Sequence, residues 1–472
     1  MKKLNLSFFL FLWLSPKIVL PVHAGVGDSI NKTELIKSFQ ELIAIRSITG
    51  AEKPAGIYLL NKSKELGFVT KTFYDKDSFI NFSASLYPLE SKKKNIVFLC
   101  HFDVVPANDS AKWKYPPFAG TLANDTIWGR GALDMKGVGI LELYALREYL
   151  AEAKVKELPY NFTILFVSDE EKGGDHGAKF ITEKYLDVIN PLLVLGEGGA
   201  GFRDVLPSKP DSLLFMISVA EKRSLWLKLT VKQHAAGHGA MGSHNSANAM
   251  LIRALDKIEN HKPSIRFEKT TKKMFKRIGK LNGGFKGFIL RNVNAFYLRP
   301  FRRKILEQQA GLLTEVTNST TITSIYNPQA PPNVIPDEAA AYLDCRLVPK
   351  MKTEKFIRHL KRRILNSRIN VEIVDESAKA KASATDSLFA AVCKGLTKTY
   401  PGALQVPILF PATTDNSFFR AKNINAYGVL PIIMTEDLIK TVHGVDECIP
   451  VSAVLRGANA YKNIITEIIN CK

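Results

Sequence analysis

Cysteine is scarce: Cys100, Cys345, Cys393, Cys448 and Cys471 lie far apart in 472 residues, with no C-x-x-C spacing. That scatter takes them out of consideration as metal ligands, and their odd number leaves at least one thiol unpaired while allowing one disulfide. No fixed-period repeat runs through the chain, so a solenoid or propeller is excluded. Past the N-terminus, no apolar run approaches the roughly 20 residues that a spanning helix needs. Acids are in deficit, 45 against 65 Lys and Arg, for a net charge of +20. Such a balance suits anionic surroundings or substrates. The densest basic stretches, residues 272–280 and 361–363, carry no nucleic-acid recognition module, so a solvated basic face is expected and nucleic acid is not.

What is present is ordinary for a large globular protein: 46% hydrophobic and 23% charged residues. A chain this long exceeds what one core usually organises, and two domains are expected. Residues 1–24 differ from the rest. Lys2 and Lys3 precede an apolar run, and Val22-His23-Ala24 offers a small-residue cleavage site. They predict an export signal, after whose removal no stable membrane insertion is expected. The alternative, a retained anchor, is opposed by the break at Ser15-Pro16-Lys17. Export leads to the periplasm or the exterior.

Residues 95–100 (NIVFLC), 161–167 (NFTILFV) and 192–195 (LLVL) are largely apolar, as strands buried on both faces are. Residues 138–153 have helical apolar spacing, so strand, helix and strand predict a right-handed crossover and a mostly parallel sheet. From about Ser218 the texture changes. Residues 225–231 (LWLKLTV) alternate like a strand with one wet face, residues 246–259 read as an amphipathic helix, and strands over 339–347 and 369–374 bracket a basic helix. Residues 269–317 are basic and helical in character, without a predicted place. Apolar runs return at 406–410 and 426–433. The expected fold is α/β with a mostly parallel central sheet, interrupted by an inserted α+β domain. The parts are a catalytic domain over 25–217 and 378–472, and an insertion over 218–377.

Chemistry-bearing residues cluster where the buried strands end, the place open parallel sheets bind ligands. His101 and Asp103 (HFDVVP), Glu170 and Glu171 (SDEEKGG) and Glu197 (GEGG) each follow a predicted strand. His443 (VHGVDE) comes after the last strand, and Asp134 (GRGALDMKG) opens the crossover helix. Two histidines and three carboxylates suit a pair of divalent ions if one carboxylate bridges, with zinc the first choice and Co2+ or Mn2+ substitutes. Two ions would activate a shared water and polarise a carbonyl. Of the adjacent acids Glu170 and Glu171, one can bind metal while the other faces the water as general base. His176, His234, His244, His261 and His359 read as surface or structural histidines, and Asp415 (PATTDN) fits a turn or cap and a functional role equally well.

The ordered set HFDVVP, GRGALDMKG, SDEEKGG, GEGG and VHGVDE resembles the co-catalytic zinc peptidases. That family includes aminoacylase, carboxypeptidase S, glutamate carboxypeptidase, acetylornithine deacetylase and succinyl-diaminopimelate desuccinylase. WKYPPFAG (113–120), NVIPDEA (333–339) and DCRLVP (344–349) are most similar to the carboxypeptidase S and aminoacylase branch. The resemblance implies that His101 and Glu197 bind one zinc, Glu171 and His443 the other, and Asp134 both, ahead of a cis bond to Met135. It implies Asp103 as the group orienting His101, and Glu170 as the base. It also implies an oxyanion-stabilising His238 in the inserted lid and dimerisation domain, serving the partner of a homodimer, and Arg346 as a contact for a substrate carboxylate. Around His238 the chain departs from the pattern, with Gly239-Ala240 and Gly242 in AAGHGAMG. Arg346 also fits a structural salt bridge. The implied substrate is a small peptide or N-acyl amino acid cut beside a free carboxylate. The rival expectations are a related di-zinc aminopeptidase, a non-catalytic binding protein that keeps the fold and, in third place, a nucleic-acid or membrane-surface role driven by charge.

Overall fold

The computed structural model describes residues 30–75, 79–233, 237–241, 244–308, 311–327 and 331–471. The expected export signal, residues 1–24, and His234 lie outside the described residues. Nine strands form the main sheet. Its path runs Val69–Tyr74, Ile80–Ser85, Asn161–Val167, Asn95–His101, Pro191–Gly196, Asn425–Gly428, Leu214–Glu221 and Leu404–Phe410, with Ala200–Phe202 paired to Leu214–Glu221. Asn95–His101 runs parallel to both neighbours, as do Pro191–Gly196 with Asn425–Gly428 and Leu214–Glu221 with Leu404–Phe410.

Both faces of the sheet's centre are covered, which is why Asn95–His101 and Asn161–Val167 are buried along their whole length, without alternation. Ile96, Phe98 and Cys100 enter one core, beneath the helices Lys32–Ala44, Lys136–Arg147 and Val451–Ile469. Val97 and Leu99 enter the other, with Ile181 and Phe419. The helix expected over 138–153 begins at Lys136 and breaks after Arg147, resuming at Leu150–Val155. The strand expected over 426–433 ends at Gly428. Pro431 has no N–H to extend the ladder, and the amides of Val429 and Leu430 turn instead to Gly196 and Gly199.

A second sheet, entirely antiparallel, has the order Ser319–Tyr326, Glu338–Leu347, Arg223–Lys232 and Ile369–Glu376. Leu225, Leu227, Leu229 and Val231 point to one face, where the helices Ala247–Glu259 and Thr353–Ile364 cover them. Two corrections to the expected boundaries follow. Leu214–Glu221 belongs wholly to the main sheet, so the insertion opens after Glu221 rather than at Ser218. The segment without a predicted place also does not join the antiparallel unit. Its helix Lys269–Asn282 packs Met274, Phe275 and Ile278 against Val406 and Ile408 of the main sheet's edge strand. Phe275→Ala, removing a buried ring from that contact, is expected to cost about 3–5 kcal/mol in urea unfolding. An unchanged midpoint would mean that the segment contributes nothing to the main core.

Candidate metal centre

The loops beyond the main sheet's strand ends bring five of the expected ligands into two overlapping triads: His101, Asp134 and Glu197, and Asp134, Glu171 and His443. Asp134 is common to both. One of its oxygens lies 3.1 Å from His101 Nε2 and the other 3.0 Å from His443 Nε2, which is itself 3.3 Å from Glu171 Oε1. His101 closes its strand, Glu197 follows Gly196, and Glu170 and Glu171 occupy a 3-10 turn behind Asp169, whose φ is 68°. That turn separates the two acids. His443 follows a short helix, Glu436–Thr441, instead of a strand, at a φ of 59°. The bond from Asp134 to Met135 is trans, since no cis peptide occurs among the described residues. The shared carboxylate reaches both imidazoles without one, and a cis bond outside proline costs about 2.5–4 kcal/mol.

The donor set fits divalent metal. Ligand bonds of about 2.0–2.2 Å at near-tetrahedral angles put neighbouring donors roughly 3–3.6 Å apart, and the His101–Asp134, His443–Asp134 and His443–Glu171 separations of 3.1, 3.0 and 3.3 Å fall in that range. Glu171 Oε1 is buried and makes no hydrogen bond of its own. The electrostatics agree. Burial pushes Glu170 well above the carboxylate range, with Glu197 adding repulsion, and does the same to Glu197, beside Asp134. His443 is raised to about 10 by Asp134 and Glu171. Burial opposes charge on His101, yet hydrogen bonds to Asp103 and Asp134 carry its pKa well above the imidazole value. The cluster is therefore short of positive charge, and its histidines draw protons to supply it. Metal binding releases such protons.

Asp103 holds more than His101. His101 Nδ1 lies 3.0 Å from the Asp103 carbonyl oxygen and 3.5 Å from its carboxylate. The carboxylate accepts the amides of Glu170, at 3.1 Å, and Glu171, at 3.2 Å, and the Thr49 hydroxyl. One buried acid thus ties the imidazole to the turn that carries both glutamates.

Glu447 and Arg130 were missed in the sequence. Glu447 is fully buried, accepts the amides of Gly131, Leu133 and Asp134, and pairs with Arg130 at 2.7 Å. Arg130 in turn donates to the Gly444 carbonyl and lies over the Trp113 ring. This pair clamps the Asp134 loop to the His443 loop. The only signal was acid and base inside the ligand motifs themselves, GRGALDMKG and VHGVDE. Asp415 stands at the N-cap position of the helix Asn416–Ala421, beside the ligands. It makes no cap bond, one of its oxygens is buried without a partner, burial raises it to about 8, and it borders His101 and Glu197. An acid in an otherwise uncharged loop after a buried strand was the available clue.

A cleft of about 620 Å³ opens over the centre, lined by Asp134, Glu170, Glu171, Glu197 and His443 below, and by Ser224, Trp226 and Arg346 of the antiparallel sheet. Arg346 donates to Asp344 at 2.8 Å and reaches Thr413 at 3.4 Å, so it both makes a salt bridge and faces the cleft. His238 is exposed on a two-residue strand paired to Val334–Ile335 and is not among the residues lining this cleft. His176 pairs with Asp75 and stacks on Phe79, away from the ligands. All five cysteines are free thiols.

A doubly covered sheet, parallel at its centre, carries histidines and carboxylates clustered at its strand ends, an arrangement that suits a metal-dependent hydrolase. The model of peptidase family M20/M25/M40 matches residues 97–467, and the chain belongs to that family. It is a metallopeptidase or amidohydrolase that cleaves an amide bond. Among its relatives, a probable carboxypeptidase S-like protein of Dictyostelium discoideum is 28% identical over 80% of this chain and 72% of that protein. Aminoacylase-1 of the same organism is 26% identical over 94% of this chain and 99% of its own. The human N-fatty-acyl-amino acid synthase/hydrolase PM20D1 is 26% identical over 76% and 70%. The fold matches a metallo-carboxypeptidase of Sulfolobus solfataricus (TM-score 0.69, 17% identity, 93% of this chain and 99% of that one). It also matches human carnosine dipeptidase 1 (TM-score 0.67, 17% identity, 93% and 96%).

Glu447→Ala leaves Arg130 buried and unpaired, which is expected to cost about 3–5 kcal/mol of stability. It should also lower zinc affinity by about 10–100-fold in chelator competition. Unchanged affinity would mean that the clamp does not position Asp134.

Proposed function

We propose that the chain is a zinc enzyme with two ions that hydrolyses the amide beside a free carboxylate, in an N-acyl amino acid or at the C-terminus of a small peptide. The observation that carries this is Asp134, which presents one oxygen to each of two histidines. His101 and Glu197 would hold one ion, Glu171 and His443 the other, and Asp134 both. When bound, such a pair supplies Lewis acidity for a water and for the scissile carbonyl.

The residues around it divide the remaining work. Glu170, on the turn fixed by Asp103, takes a proton from the attacking water and returns it to the leaving amine. Arg346 faces the cleft with a guanidinium suited to a carboxylate, and Trp226, Phe410 and Phe418 give it an apolar wall. The aminoacylase and carboxypeptidase-like relatives support both substrate classes. Asp134, Glu170, Glu171, Glu197 and His443 line one cleft and His101 joins Asp134 and Glu197 in the ligand cluster, a complete set that a non-catalytic descendant would not need. The proposal extends to a homodimer, because His238 stabilises an oxyanion only if a second copy brings it to the cleft. It extends also to export through residues 1–24, on the strength of Lys2-Lys3, the apolar run and Ala24.

The test is release of free amino acid from N-acyl amino acids and N-blocked dipeptides by the mature protein, zinc-loaded and chelated. Activity should vanish on chelation and return with zinc. Glu170→Gln should keep its metal and lose about 10²–10⁴-fold in kcat. Metal-independent turnover, or a fully active Glu170→Gln, would overturn the reading. Arg346→Met should raise KM by about 10–100-fold for carboxylate-bearing substrates, and an unchanged KM would return Arg346 to a purely structural role.

A further inference from the structure

The chain's positive charge is concentrated in one place. Residues 269–308 hold twelve Lys and Arg against a single acid, Glu307, so that 11 of the net +20 reside in this segment. Ten of the twelve are exposed, among them Lys272, Lys276, Lys280 and Lys286. The same segment displays Phe285, Phe288, Phe296, Tyr297 and Phe301, with Phe296 87% and Phe285 77% exposed. Single exposed hydrophobes are ordinary, but five large rings within seventeen residues of a strongly basic segment need an occupant.

The segment is anchored on its other side. Met274, Phe275, Ile278, Leu290, Val293 and Leu306 are buried in a core shared with Val406 and Ile408 of the main sheet. In the helix Gly284–Asn292 the buried Gly287 and Leu290 leave Phe285 and Phe288, three residues apart, on a common outward face. The rings are therefore held out by a packed scaffold.

We propose that this segment docks the protein on an anionic lipid surface, with the cations on headgroup phosphates and the rings at the acyl boundary. Interfacial helices join cations to Phe, Leu or Trp in this way, and each cation near an anionic leaflet adds about 1 kcal/mol. A second copy of the chain is a poor occupant, because the two faces would bring like charges of this size together. Nucleic acid suits the cations but finds no recognition module here. The docking is independent of the hydrolytic reading and survives its failure.

The test is flotation of the mature protein with vesicles of phosphatidylcholine alone and of phosphatidylcholine with phosphatidylglycerol. Binding should need the anionic lipid and weaken with salt. Lys272→Glu with Lys276→Glu should reduce it by at least tenfold, since each cation lost is worth about fivefold. Phe285→Ser with Phe296→Ser should also release the protein, at an unchanged melting temperature because both rings are exposed. Lys272→Glu alone, a single exposed change, should show a proportionate loss. Equal flotation by the aromatic variant, no preference for anionic vesicles, or capture by a single-stranded oligonucleotide in place of vesicles would each overturn the proposal.

Discussion

The site depends on one carboxylate being held still between two imidazoles. Asp134 sits just before a helix whose first turn is buried, and its own amide is fixed by Glu447. Glu447 belongs to the loop that supplies His443, and its partner Arg130 belongs to the loop that supplies Asp134. The loops that supply Asp134 and His443, over 300 residues apart in the chain, are therefore joined by a buried ion pair as well as by the ligands themselves. Such a pair contributes little net stability against an apolar replacement, but removing one member is costly. It follows that the pair specifies a geometry more than it strengthens the fold.

Asp103 plays the matching part on the other side. By accepting the amides of Glu170 and Glu171 it fixes where a base and a ligand diverge, and its backbone carbonyl faces His101 Nδ1. The centre is a knot of acidic side chains within a chain of net charge +20. The excess of cations is elsewhere, above all on residues 269–308, so the acidic cluster is not neutralised by its own protein and its histidines are drawn toward the protonated form.

The sequence showed most plainly what repeats with a period or ends a buried strand. NIVFLC and NFTILFV are strands because both faces are covered, and LWLKLTV alternates because one is not. The ligands were visible as polar residues breaking such runs. The break after Arg147 and the stop at Gly428 were harder to see, since apolar spacing continues through both. Residues 269–317 gave helices but no address, because a basic amphipathic stripe fits any apolar surface, and only the fold shows that it meets Val406 and Ile408. Arg130 and Glu447 were hidden for a different reason: a buried charge and a solvated one look alike until their partners are known.

Zinc-edge anomalous diffraction from crystals grown with the metal tests the central claim, that Asp134 is shared between two ions, most directly. Two peaks are expected, about 3.5–4 Å apart, one between His101 and Glu197 and the other between Glu171 and His443, with an Asp134 oxygen on each. A single peak, or a pair that Asp134 does not bridge, would contradict the account.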